Sequence, residues 1–529
     1  LGSHIPDLPD NWVKWAARIG LAGGLVALVG RCRIADLDMF HQMALFREAL
    51  ATGWIPVRDI FAYTPTIAPV VHHEWGTGAV LYTVTVGLGL GSVGLMALKY
   101  LLTAATAAAC VFCARLRGAD ERVFLWLALP AIGLAWVGFT TIRAQVFTLL
   151  LLTVLLLLLE ADRRGRRWWL VVWLPIFVIW LNLHAGFVAG VGIFGLYSLE
   201  RLIREAADGV GIWKALARVG HLVVAGLAMV ALTTVNPYGF AYVPYLAHAL
   251  SLERPLILEW MPLWQQESCS VWLALYGISL AVVIYAVACR GVRQLPGLAI
   301  VLVTAYLGMR HFRHVSIYGV VWICYVPGYL EGTELGDVLK GLWTRRKGFL
   351  FGLWSLVAVA SLCSATYNRV WEVWMPTAQA EVDGPTPVYP AGAVEYLAKH
   401  NFSGNLMVPF GVGAYVSWKL YPEVKVSIDS RYEAAYPTGT LDESVDFYCV
   451  VPGWEKTLDR HPTDAVLVPH ESRLDRLMED VGADAASDRP ASWRRVYQDD
   501  GYSLFMRSEP AGRFPPVDRT GERVIAEFP

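Results

Sequence analysis

Two aspartates two residues apart, Asp36 and Asp38, stand just beyond the apolar run "WAARIGLAGGLVALVG". A carboxylate at the exit of a membrane helix can take a proton from an attacking hydroxyl or amine. The same stretch goes on to His41, Arg58 and Asp59, and then to "VHHEW", with His72, His73 and Glu74. Polar groups recur wherever later apolar blocks end. They are Arg143 and Gln145 in "TTIRAQ", Asn182 and His184 in "LNLHAG", and Asn236 and Tyr238 in "TTVNPYG". "MRHFRH" adds Arg310, His311, Arg313 and His314. Ionisable groups at membrane depth are costly, so those that persist carry a functional expectation. Arginine meets phosphate oxygens with a planar fork of donors. A carboxylate base together with such cations describes group transfer from a lipid-borne phosphate to an acceptor outside the cytoplasm.

The elements that position these residues are read from composition. Hydrophobic residues make up 56% of the 529-residue chain and charged residues only 17%, too few charges for a soluble protein of this size. The net charge of −1 gives a nucleic-acid partner no electrostatic support. The 22 tryptophans suit membrane-interface belts. Apolar blocks of roughly membrane length fall near 12–30, 76–91, 92–114, 122–140, 145–160, 168–183, 185–200, 216–235, 270–289, 294–309, 315–330 and 348–366. The expected architecture is a polytopic α-helical membrane protein of about 11–13 spans. Its membrane domain covers 1–366, with a long first outer loop at 31–75.

Basic loops at 160–169, 201–218, 289–294 and 343–348 read as cytoplasmic. The segments at 140–145, 182–186, 236–269 and 309–314 then lie on the opposite face, as do residues 367–529. "CARLRGADER" also looks cytoplasmic, which requires an odd number of crossings between it and the first loop. The glycine-rich "GLGLGSVG" and the Cys110–Cys113 pair lie in apolar runs and read as helix packing. Beyond Pro385 the pattern becomes that of a small α/β domain. "AGAVEYLAKH" reads as a helix, and "NLMVPF", "VKVSID" and "AVLVPH" as buried strands. "WRRVYQDDGYSLFMR" reads as a hairpin turning at Asp499–Asp500–Gly501. Asp429 and Arg431 follow the second of those strands, a place favoured by sites in α/β domains.

The first loop resembles that of the GT-C superfamily of polytopic glycosyltransferases. The superfamily includes protein O-mannosyltransferases, the aminoarabinose transferase of lipid A and oligosaccharyltransferases. The shared pattern is an acidic motif after the first span, a helix along the membrane, a small-residue turn and an aromatic-rich approach to the next span. Here "DMFHQMALFREALATGWIP", "FAYTPT" and "HHEW" occur in that order. The spans at large, with "RxQ", "NxHxG", "NPYG" and "DxRY", also resemble a bacterial branch of GT-C-like proteins. The resemblance places Asp38 at the family's acidic position. Many members carry two adjacent acids there, whereas here Met39 follows and the second acid is Asp36, upstream.

The resemblance implies a polyprenyl-phosphate sugar donor and an extracytoplasmic acceptor, which could be a glycan, a lipid or a protein. It also implies a bacterial inner membrane with the C-terminal domain in the periplasm. On this reading Asp38, with Asp36, activates the acceptor. Arg143, Arg310, Arg313 and His184 hold the donor phosphate. Asp59, His73, Glu74 and His311 are accessory, while Asp429 and Arg431 orient or dock the acceptor. Some members use a divalent metal, Mg or Mn.

Plainer roles stand beside these. Asp38 would also serve as the N-cap of a helix ending at Gly53, and Asp59 could pair with its neighbour Arg58. His184 could be hydrogen-bonded structure, and Asp429 and Arg431 an internal salt bridge. His72, His73 and Glu74 could join Asp38 on a metal, although adjacent histidines point apart on regular backbone. A transporter or flippase of a lipid-linked saccharide, and a polysaccharide polymerase or ligase, are the alternative functions.

Overall fold

The computed structural model describes residues 9–140, 142–207, 211–252, 257–267, 269–382, 388–482 and 493–529. The chain divides into two compact units. One comprises Leu1–Arg33, Met96–Asn236 and Leu252–Glu372; the other comprises Ile34–Leu95, Pro237–Ser251 and Val373–Pro529.

The first unit is built of helices. Among the described residues, seven helices are long and apolar enough to cross a membrane. They are Asp10–Arg31, Gly91–Leu116, Glu121–Phe139, Ala144–Arg163, Ile212–Leu232, Cys269–Arg290 and Lys347–Tyr367. Trp169–Leu183 and Leu298–Arg310 are shorter apolar helices, and Phe187–Glu205 and Val315–Tyr329 complete the expected blocks of this unit. Of the seven, Ala144–Arg163 is the most buried, with 72% of its apolar window buried, against 17% for Lys347–Tyr367. Leu356 and Leu362 on the latter are 66% and 68% exposed. Water would oppose such a surface, and lipid suits it. The helices Asp10–Arg31 and Lys347–Tyr367 pack through small residues: a Cβ on Gly20 would lie 2.9 Å from the Trp354 carbonyl oxygen.

A lysine that drew no attention in the sequence holds part of this unit together. Lys99, 1% exposed, lies in Gly91–Leu116. Its ammonium donates to the carbonyls of Val29 (3.0 Å), Cys32 (2.5 Å) and Thr140 (2.6 Å). Val29 and Cys32 close the first helix, where carbonyls lack intrahelical donors and the helix dipole favours a cation. Lys99→Met keeps the stem but strands three carbonyls. It is expected to destabilise the protein by about 2–3 kcal/mol, read as a lowered unfolding temperature in nanodiscs. An unchanged temperature would dismiss this role.

The block expected as a span at 76–91 differs. Trp75–Tyr82 is an eight-residue α-helix continued by the five-residue π-helix Thr83–Gly87. Together these rise about 20 Å, short of the roughly 30 Å hydrocarbon core. Gly89 and Gly91 then take positive φ (+66° and +48°). The "GLGLGSVG" run therefore breaks the chain ahead of Gly91–Leu116 rather than packing helices. A further helix, Glu334–Arg345, stands where only a basic loop was read.

The second unit contains a mixed sheet of six strands: β1 (Gly404–Met407), β2 (Val424–Val426), β3 (Ala465–Pro469), β4 (Trp493–Gln498), β5 (Tyr502–Arg507) and β6 (Val517–Asp518). Their order is β2-β1-β3-β5-β4-β6. β1 pairs in parallel with β2 and β3, and β5 runs antiparallel to both β3 and β4. The β4–β5 hairpin turns as expected, with the Asp499 carboxylate accepting from the Gly501 and Tyr502 N–H groups, both at 2.8 Å.

The first loop belongs to this same fold. Tyr63 N–H donates to Val426 O and Val426 N–H to Phe61 O, both at 3.0 Å, so residues 61–63 extend the sheet beyond β2. Arg47 donates to the Trp418 carbonyl at 2.8 Å and the Tyr421 carbonyl at 3.3 Å.

Candidate functional site

In the second unit, the helix Leu37–Thr52 starts from Asp36 in extended backbone, and the Asp36 carboxylate accepts from the Asp38 N–H at 2.9 Å. The cap expected of Asp38 therefore falls to Asp36. Asp36 is 5% exposed, while Asp38, in the first turn, is only partly buried. Gly53 closes the helix as expected, with φ +84° and its N–H on Ala49 O. The helix start rests on Phe40, Tyr389 and Tyr415, whose rings meet edge to face at 5.2–5.8 Å. Tyr389 donates to Ala35 O at 2.6 Å. Burial and the nearby Asp36 charge push its phenol well above the ordinary range. The Trp75–Tyr82 helix crosses at Gly78, where a Cβ would fall 2.2 Å from Gln42 O. A backbone this close admits only glycine.

Asp59, Asp429 and Arg431 meet in one buried ionic group. Their side chains are 1%, 0% and 3% exposed. Arg431 Nε donates to Asp429 Oδ1 at 2.7 Å, Nη2 pairs with Asp429 Oδ2 at 2.7 Å, and Nη1 donates to Asp59. Burial opposes the guanidinium charge, but Asp429 and Asp59 outweigh it and hold Arg431 well above its usual range. Asp59 thus pairs with Arg431 rather than with Arg58, which is exposed. Its other oxygen accepts from Ala62 N–H at 2.6 Å.

Beside this group His41 and His72 stack with ring centroids 5.5 Å apart. Burial, with Arg431 and with each other's or His73's charge, drives both imidazoles well below 6.5, against the pull of Glu74 and Asp59. Their Nδ1 atoms have no hydrogen-bond partner among the described residues. His73 bonds the Tyr245 hydroxyl at 2.7 Å and lies 3.4 Å from Glu74, which accepts from Gln42.

The histidines make stability depend on pH. Native imidazoles held neutral below 6.5 bind fewer protons than the unfolded chain. Their contribution is therefore complete above pH 6.5 and falls as the pH drops below it. The slope is up to about 1.4 kcal/mol per pH unit for each group. His314 in the first unit, lowered to about 3 by burial and Arg313, adds in the same sense. Between pH 7.5 and 5.5, roughly the window where only histidine among these groups titrates, His41→Asn with His72→Asn should flatten most of the fall in unfolding temperature. A slope equal to wild type would contradict this.

In the first unit, Arg143 stands in extended backbone at the start of Ala144–Arg163 and pairs with Glu259. Burial works against the Glu259 charge, yet Arg143 and Arg313 outweigh it and hold the carboxyl below its usual range. The Arg313 guanidinium lies over the Trp260 ring, 4.8 Å from its centroid. His311 Nδ1 is 2.8 Å from Trp260 O, and Gln145 donates to Arg313 O at 3.1 Å. "RxQ" is thereby explained: its arginine meets a carboxylate and its glutamine pins the "RHFRH" turn. Arg310 ends its own helix and is exposed.

"NxHxG" is a helix junction. Asn182 donates to Val178 O at 2.8 Å and Val235 O at 3.0 Å. His184 Nδ1 is 2.7 Å from Thr148 Oγ1 and accepts from Gly186 N–H at 3.2 Å. A Cβ on Gly186 would sit 2.4 Å from Thr148 Oγ1, so the glycine is required by packing.

Among the described residues no group of three or more His, Cys, Asp or Glu side chains could hold a metal ion. No protein-family model matches the chain, and no curated protein matches it. The geometry stands by itself as a lead to function. It adds residues that sequence reading passed over. Glu259 is one of three glutamates in the 236–269 loop, and neither it nor Tyr389 carries a local signal of its role.

Proposed function

We propose that the protein is a GT-C-type glycosyltransferase of a bacterial inner membrane. It moves a sugar from a polyprenyl-phosphate donor to an acceptor on the periplasmic side. The observation that carries this reading is the Arg143, Arg313, His311 and Trp260 group, with Arg143 at the start of the membrane-length helix Ala144–Arg163 and His311 and Arg313 between two shorter apolar helices, where cations and an aromatic face suit a lipid phosphate. Asp38 takes the acceptor's proton, and Asp36 positions it by capping its helix. The arginines stabilise the leaving phosphate, so a single displacement inverts the sugar carbon. The Asp59–Arg431–Asp429 group holds the first loop in shape. His184 supports its helix junction.

The second unit supports the topology of this reading. It combines the first loop, Pro237–Ser251 and Val373–Pro529, which supports assigning them to one side of a membrane. Between the first loop and Pro237 lie six of the expected crossings among the described residues, and between Ser251 and Val373 lie four. Both numbers are even, as a shared face demands.

The test is donor turnover in nanodiscs with polyprenyl-phosphate sugars and a panel of acceptors. Release of polyprenyl phosphate in step with a glycosylated product is expected. Movement of intact donor between leaflets of proteoliposomes, with no glycosidic bond broken, would replace this reading by transport.

A further inference from the structure

Glu259 occupies the position an anion would take. Its carboxylate accepts from Arg143, and the charge of Arg313, whose guanidinium lies over the adjacent Trp260 ring, also favours its ionised form. One carboxylate thus answers two guanidiniums, both of which are assigned above to a phosphate. The segment carrying Glu259 is a short loop closed on itself by Gln266 Nε2 donating to Leu258 O at 2.8 Å. Two hydrogen bonds tie it to the "RHFRH" turn: the His311 Nδ1–Trp260 O bond at 2.8 Å and Phe312 N–H to Met261 O at 3.0 Å. Trp260 also packs against His311 and His314 at 5.4 and 5.8 Å. Arg143 and Glu259 keep 38% and 28% of their side-chain surface exposed. The pair is partly open, so an incoming ligand can reach it.

We infer that Glu259 is a resident occupant of a phosphate seat formed by Arg143 and Arg313, exchanged for the ligand's phosphate when a phosphorylated lipid binds. The inference rests on the phosphate-binding role given to those arginines in the proposed function. The exchange conserves charge pairing: guanidinium donors pass from a carboxylate to a phosphate of at least equal charge, with the fork geometry intact. Loop Leu258–Gln266 is then released from the "RHFRH" turn as the ligand enters. Glu259 sets affinity by competition and touches no reacting atom, so it is a specificity-determining residue.

The experiment is binding of farnesyl phosphate, farnesol and inorganic phosphate to the full chain in phosphatidylcholine nanodiscs. Glu259→Gln is expected to bind farnesyl phosphate about 5–10-fold more tightly, from loss of a competing ion pair, and farnesol unchanged. Tightening for inorganic phosphate as well assigns the seat to the anion irrespective of its lipid tail, and supports exchange equally. Should Arg143→Gln abolish farnesyl phosphate binding while Glu259→Gln leaves it unchanged or weaker, Glu259 is a structural partner only. The inference then fails and the phosphate-binding reading stands. If Arg143→Gln and Arg313→Gln both bind as wild type, that reading itself fails. A second measurement needs no variant: farnesyl phosphate, but not farnesol, should raise hydrogen–deuterium exchange of the Phe312 amide, whose N–H is held by Met261 O. Unchanged or slower exchange there would overturn the exchange model.

Discussion

Arg431→Met is expected to cost the second unit about 3–5 kcal/mol, the loss typical when one partner of a buried ion pair is removed. The substitution leaves Asp59 and Asp429, 1% and 0% exposed, as two carboxylates sharing a dry site with no cation. Arg431→Lys should rescue little. Arginine reaches Asp429 through Nε and Nη2 and Asp59 through Nη1, a spread no single ammonium can copy. Limited proteolysis of residues 373–529 and urea unfolding would report the damage. Replacing Asp59, Asp429 and Arg431 together by apolar residues should recover much of the loss, because the unpaired charges go with the cation. A loss below about 1 kcal/mol for Arg431→Met would show the triad to be dispensable.

Asp38→Asn is expected to lower donor turnover about 10²–10⁴-fold, the usual contribution of a general base, with little change in unfolding temperature. The neighbouring acid supplies the control. Asparagine caps a helix about as well as aspartate, so Asp36→Asn should stay near wild type in activity. Asp36→Ala should lose about 1 kcal/mol of stability along with part of the activity. The inverse pattern, a severe Asp36→Asn and a mild Asp38→Asn, would move the base to Asp36. Activity retained in both would remove the first loop from the chemistry.

The length of the apolar blocks made the helices legible because a lipid-facing span must be apolar over its whole length. Most expected blocks therefore lie within a few residues of the observed helices, from Asp10–Arg31 to Lys347–Tyr367. The block at 76–91 misled for the same reason. Its hydropathy matches a span, but Gly89 and Gly91 at positive φ interrupt the backbone. Short buried strands were legible as brief apolar runs and the hairpin from Asp-Asp-Gly. What could not be read was pairing across long separations. Asp59 has an arginine beside it in sequence yet bonds one 372 residues away. Arg143 was visible as a charge between apolar runs, whereas its partner Glu259 lay in an unremarkable loop. Lys99 was hidden because its acceptors are backbone carbonyls, which carry no side-chain signature.

The addition of residues 61–63 to the edge beyond β2 sets an order of assembly. The loop leaves the ribosome long before its neighbouring strand exists, and all the intervening spans are threaded into the membrane in that interval. Until the last of them is placed, the loop has an open strand edge and an unpaired Asp59. Non-local pairing of this kind is slow and open to misassembly. A nascent chain halted after Glu372 would lack both Val426 and Arg431, leaving that edge and Asp59 without the partners they have in the full chain.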